Sequence, residues 1–236
     1  MAGQIILVNG TSGSGKSTTC EQFVRDADDF WLHYGVDHFF ASTFPRRFGH
    51  HGDRAGDGFS AVPVDSNQPD GALRWQFSPQ GLRAMSVFHE WIAAASRQGC
   101  NIIVDHLLMC DPPLLQDCVQ RLAGLPVLLV NLQPPYEVLA ERVASREIGN
   151  RFTNSSYSEQ QKSLSRQRLD RLRPWFYQAI YQNTRCDLSI DTSNCPPDEV
   201  CQQIRQRLQQ GSGHAFTELL LQQHNAGTDA GTIAKD

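Results

Sequence analysis

The sequence predicts an α/β fold in which helices cover both faces of a mostly five-stranded parallel sheet, giving three layers, α, β and α. Three observations predict it. Short apolar runs alternate with longer helical patterns, as they do in sheets assembled from strand–helix units. The runs are nearly continuous in apolar residues, as strands covered on both faces must be. Between the first run and the first helical pattern lies Gly10-Thr11-Ser12-Gly13-Ser14-Gly15-Lys16-Ser17, which fits the phosphate-binding pattern G-x-x-x-x-G-K-[ST] at each fixed position.

In chain order, the first strand is expected over residues 4–9 and the first helix over 16–25, and a weaker strand follows over 31–36. Residues 42–78 are rich in Gly, Pro, Asp and His and too long for an ordinary connection, so they read as a functional insert with a hairpin around 62–77. A helix over 79–98 leads to a strand over 101–105, a helix over 112–123 and a strand over 126–132. Helices over 134–147 and 158–182, a strand over 187–191 and a helix over 196–209 complete the pattern. Several helices begin with Pro in the first turn, where its missing N–H is harmless. Residues 1–210 therefore read as one domain. From Gly211 the composition shifts to small and polar residues; a short helix is expected over 216–223, and 224–236 is expected to be disordered.

Composition excludes several classes. The 236 residues carry a formal net charge of -4, without the basic stripe that nucleic-acid binding leaves, so no nucleic-acid partner is expected. No apolar run approaches the roughly 20 residues of a membrane span, and MAGQIILVNG has no basic leader, so a cytoplasmic protein without membrane contact is expected. The seven cysteines are scattered without a C-x-x-C pair and read as reduced thiols filling the core rather than as zinc ligands. The chain is free to form a homo-oligomer.

The loop carries the chemistry. Its glycines let the backbone curl around phosphate, and the N–H groups of residues 10–18 (Gly10, Thr11, Ser12, Gly13, Ser14, Gly15, Lys16, Ser17 and Thr18) meet the helix N-terminus there. Lys16 is suited to the β- and γ-phosphates of a nucleoside triphosphate, and Ser17 to Mg²⁺. A metal-binding carboxylate is expected at the end of a neighbouring apolar strand, and Asp105 after Ile102-Ile103-Val104 supplies it. Asp37 closes the weaker strand, on the rim where parallel sheets gather ligand-handling residues, and is a candidate general base for an acceptor hydroxyl. A helix N-cap is its structural alternative. The two basic helices around 149–157 predict a lid over about 146–158, with Arg146 and Arg151 as candidate phosphate ligands. Phe39, Phe40, Trp75 and Phe77 are available either as walls of an acceptor pocket or as core.

Taken in order, Ile5-Ile6-Leu7-Val8-Asn9-Gly10, Gly35-Val36-Asp37, Ile102-Ile103-Val104-Asp105, Arg146-Glu147 and Asp187-Leu188-Ser189-Ile190-Asp191-Thr192 resemble the chloramphenicol phosphotransferase family across residues 4–205. The resemblance implies an adenylate-kinase-like P-loop fold and transfer of the γ-phosphate of ATP to a primary hydroxyl of chloramphenicol. It matches Asp37 to the family's proposed general base, and Lys16 and Ser17 to the phosphate-loop pair. His106 departs from the pattern, standing where a second acidic residue is expected. ATP rather than GTP rests on the resemblance, since no N-K-x-D motif occurs. The alternatives that the residues leave open are a metabolite kinase for a sugar acid or nucleoside, and a nucleotide-binding regulatory or toxin-like module.

Overall fold

The computed structural model describes residues 1–145, 158–182 and 185–232. Seven strands and eight α-helices are described, besides three short π or 3-10 turns between residues 39 and 57: β1 (Ile5–Asn9), α1 (Lys16–Arg25), β2 (Trp31–Gly35), α2 (Val36–His38), β3 (Phe59–Pro63), β4 (Leu73–Phe77), α3 (Pro79–Arg97), β5 (Asn101–His106), α4 (Leu114–Arg121), β6 (Val127–Leu132), α5 (Tyr136–Ser145), α6 (Glu159–Tyr181), β7 (Leu188–Ile190), α7 (Pro197–Gln209) and α8 (Ala215–Thr232). The main sheet has the order β2-β5-β1-β6-β7, and each adjacent pair is parallel. It is therefore the five-stranded parallel sheet that the apolar runs predict.

Alternation along the strands sorts the core into two layers. Ile6 and Val8 of β1 face a cluster with Cys20 and Phe23 of α1 and Val200, Cys201 and Ile204 of α7. Ile5 and Leu7 face the opposite cluster, with Met85, Phe88 and Ile92 of α3, Leu115 of α4 and Phe216 of α8. Both faces are dry, so Ile5–Val8 of β1 are apolar, and all five residues of the strand, Asn9 at its end included, are buried.

The structure decides one alternative that the sequence left open and departs from expectation at one element. The insert forms the antiparallel hairpin β3–β4, and its aromatics pack inward together with Phe39 and Phe40, which precede it. Phe39, Trp75 and Phe77 are buried, Phe40 lies 4.6 Å from Phe59 between ring centroids, and Trp75 meets Phe176 of α6 edge-on. These rings bury more apolar area against each other than an open pocket wall would, so they are core. The C-terminal helix is also longer than the eight residues expected, reaching Thr232 within a stretch expected to be disordered. Phe216 and Leu219 anchor its first turns in the core. Among the described residues, no helix is long and apolar enough to cross a membrane.

Candidate active site

The loop between β1 and α1 adopts a conformation that its glycines make accessible. Gly13 and Gly15 have φ of +86° and +97°, in the left-handed region that a side chain strains. At Gly13 a Cβ would also come within 3.0 Å of Val143 of α5, so the absence of a side chain lets that helix approach the loop. Lys16 is buried, and its Nζ donates to the Thr11 carbonyl at 2.9 Å, folding the side chain back over the loop.

Asp105 reaches this loop through strand order. β5 lies beside β1, with Val8 in register with Asp105, and the pleat turns Asp105 toward α1. Ser17 Oγ donates to Asp105 Oδ2 at 2.7 Å, and His33 Nε2 lies 3.1 Å from Oδ1. Burial would raise the Asp105 carboxyl, but the bonds to His33 and Ser17 and the charge of Lys16 outweigh it and hold it at about 2. The carboxylate is therefore ionised at neutral pH. Gly35 makes room for it, since a Cβ there would meet Asp105 Oδ1 at 2.0 Å.

Register also places Asp37. Gly35 pairs with Asp105, and the chain turns into α2 immediately afterwards, so Asp37 stands two residues beyond that pair on the carboxyl rim of the sheet. It is exposed and lies in the first turn of α2, not at its N-cap, which is Gly35. Arg146 and Arg151, with the rest of 146–157, lie outside the described residues.

Three contributors escaped sequence reasoning. The Tyr181 hydroxyl, at the end of α6, accepts from Thr11 N–H at 3.1 Å and donates to the Leu132 carbonyl, tying the loop to β6. Arg142 on α5 donates to the Thr192 hydroxyl at 3.1 Å and to the Thr192 carbonyl at 2.6 Å, and the same hydroxyl donates to Ser14 O at 3.0 Å. A basic residue thus abuts the loop four positions before Arg146. The third is a buried chain on the α3 side of the sheet. Leu107 N–H donates to His106 Nδ1 at 2.7 Å, so the His106 proton sits on Nε2; that nitrogen faces His89 Nε2 at 2.9 Å, and His89 Nδ1 donates to Asp117 at 2.6 Å. His106 is thereby locked inside the core, not in a cleft wall. Only the i, i+3/i+4 periodicity of α3 hinted that His89 faces inward.

The profile of the family described as chloramphenicol phosphotransferase-like protein matches residues 3–209. The chain belongs to that family. Its class is accordingly that of a P-loop kinase-type phosphotransferase. Solved structures agree on the fold. A sugar kinase from Janibacter sp. is 18% identical, with 88% of this chain and 95% of that one covered and a TM-score of 0.51. An APS kinase from Mycobacterium tuberculosis, solved with AMPPNP and APS, is 12% identical over 88% and 98% of the two chains with a TM-score of 0.54. No curated protein matches the chain by sequence.

Proposed function

We propose that this family member transfers the γ-phosphate of ATP to a hydroxyl group of a small molecule resembling chloramphenicol. The observation that carries the reading is the shared rim. Lys16, the Ser17–Asp105 pair and Asp37 all stand at the carboxyl end of the sheet, with Asp37 two residues past the strand position in register with Asp105.

In this reading the backbone N–H groups of residues 10–18 cradle the phosphates of ATP, and Lys16 leaves the Thr11 carbonyl for the β- and γ-phosphates. Ser17 and Asp105 present two hard oxygen donors 2.7 Å apart, one of them ionised, which fits Mg²⁺. When bound, Mg²⁺ neutralises charge on the transferring phosphoryl group. Asp37 accepts the proton of the acceptor hydroxyl and orients its oxygen toward the γ-phosphorus. Arg146 and Arg151 are the arginines that close onto the phosphates.

A sugar acid is a second acceptor reading, favoured by one observation. A cavity of about 520 Å³ lies between the insert and α6, lined by His51, Ala61, Leu73, Leu164, Arg168 and Arg171. Two guanidinium groups in one cavity suit a carboxylate.

The test is phosphate transfer from labelled ATP with Mg²⁺ to chloramphenicol, sugar acids and nucleosides. The expected result is one labelled alcohol, with Asp37→Ala slowed by at least roughly 100-fold while ATP binding persists. Transfer at the parental rate by that variant would remove Asp37 from the mechanism.

A further inference from the structure

Three side chains of different ligand chemistry converge one helical turn along α1 from Ser17. Cys20 on α1, His33 on β2 and Asp105 on β5 each bring one donor atom, a sulfur, a ring nitrogen and a carboxylate oxygen, to within 4.8 Å of the other two. The fold enforces this meeting. Cys20 follows Ser17 by three residues and so lies on the same helix face, turned to the sheet and fully buried. His33 and Gly35 point to one side of β2, and Gly35 is in register with Asp105. Because Gly35 has no side chain, the carboxylate can occupy that space and meet the imidazole.

The spacing of the nitrogen and oxygen donors suits a small tetrahedral ion. Nitrogen and oxygen ligands about 2.0–2.1 Å from zinc at tetrahedral angles lie about 3.3 Å apart, and His33 Nε2 stands 3.1 Å from Asp105 Oδ1. The donor set also discriminates between ions. Mg²⁺ asks for oxygens in an octahedron, whereas a thiolate, an imidazole and a carboxylate together are a zinc-type set.

We propose that Cys20, His33 and Asp105 form a binding site for zinc or a similar borderline-soft divalent cation, beside the phosphate loop and distinct from the Ser17 side of Asp105. On binding, the Cys20 S–H bond breaks as sulfur bonds to the metal, and its proton passes to solvent. His33 coordinates through Nε2 with its proton on Nδ1, and Asp105 exchanges its contact with His33 for the metal. Three protein ligands leave a fourth position for water. The site stands independently of which acceptor the enzyme phosphorylates. Its consequence is regulatory, because Asp105 also bonds Ser17: zinc occupancy and magnesium–nucleotide binding compete for one carboxylate, each weakening the other by the same factor.

The test is titration of the metal-free full chain with Co²⁺, without magnesium or nucleotide. One equivalent is expected to give the intense visible bands of tetrahedral cobalt with a thiolate-to-cobalt charge-transfer band, and zinc is expected to displace it. Cys20→Ser is expected to lose the charge-transfer band and to bind zinc at least tenfold more weakly, and His33→Gln to weaken zinc to a similar degree. Circular dichroism checks that each variant is folded, and Cys20→Ala replaces the serine variant if that one is not. Absence of a thiolate band in the parent overturns the proposal. So does a band that survives removal of Cys20, since six other cysteines could supply it.

Discussion

Buried histidines couple the stability of this protein to pH. Burial is the largest influence on both His89 and His106 and pushes both below the usual histidine value; the neighbouring His89 ring adds to this at His106, since the two cannot both take up a proton without repulsion, while Asp117 opposes it at His89. His50 is held at about 3, again chiefly by burial. Since the folded values lie below the unfolded value of 6.5, the unfolded chain takes up protons first as the pH falls. The stabilising effect of the neutral rings is complete above about pH 6.5 and is lost progressively below it, by about 1.4 kcal/mol per pH unit for each. Denaturant unfolding at pH 7.5 and pH 5.5 should show this loss, and His89→Gln should show a smaller one. An identical loss in the variant would mean that His89 does not titrate as argued. Asp105, held at about 2 against an ordinary 3.8, acts in a lower window, stabilising above pH 3.8 and failing as the pH drops toward 2.

One carboxylate docks the C-terminal element. Asp187 Oδ1 accepts from His214 N–H at 2.6 Å and Ala215 N–H at 2.9 Å, while Oδ2 accepts from Leu129 N–H at 2.8 Å. It satisfies the first free N–H groups of α8 and pins that helix to β6. A Cβ at position 213 would meet Asp187 Oδ2 at 2.0 Å, so the chain passes this close only as glycine. Asp187→Ala is expected to cost on the order of 1–3 kcal/mol, since three N–H groups, two of them partly buried, lose a charged partner, and limited proteolysis should then remove α8 first. Unchanged protection of α8 would show that its apolar contacts suffice. The length of α8 was hard to read because its second half, from His224, is polar and small, with no apolar stripe to mark a helix. The core position of Trp75 and Phe77 was equally hidden, as the alternation of a hairpin marks a face without saying what covers it.

Across the whole molecule, the insert and α6 are clasped over the candidate acceptor cavity. Arg171 donates to the carbonyls of Gly71, at 2.8 Å, and Pro69, holding the connection between β3 and β4 against the helix whose far end carries Tyr181. The same helix therefore touches both the insert and the phosphate loop. Arg171→Ala should raise the KM for the acceptor severalfold and leave the KM for ATP near the parental value. Steady-state kinetics with each substrate varied in turn would check this, and a rise confined to ATP would place the insert on the nucleotide side.

The sequence by itself determined the five strands of the main sheet, the phosphate loop and the family, because each is written within a few consecutive residues: an apolar run, a spacing of glycines, a lysine at a helix start. It also placed Asp37 and Asp105 at strand ends. Tertiary structure alone decided which side chains meet at those ends. Ser17 and Asp105 are 88 residues apart, and Thr11 and Tyr181 are 170 apart. Their contacts, like the meeting of Cys20 with His33 and of His106 with His89, follow from strand order, register and the space left at Gly35. No local pattern encodes these, because they arise only when the two faces of the sheet are closed.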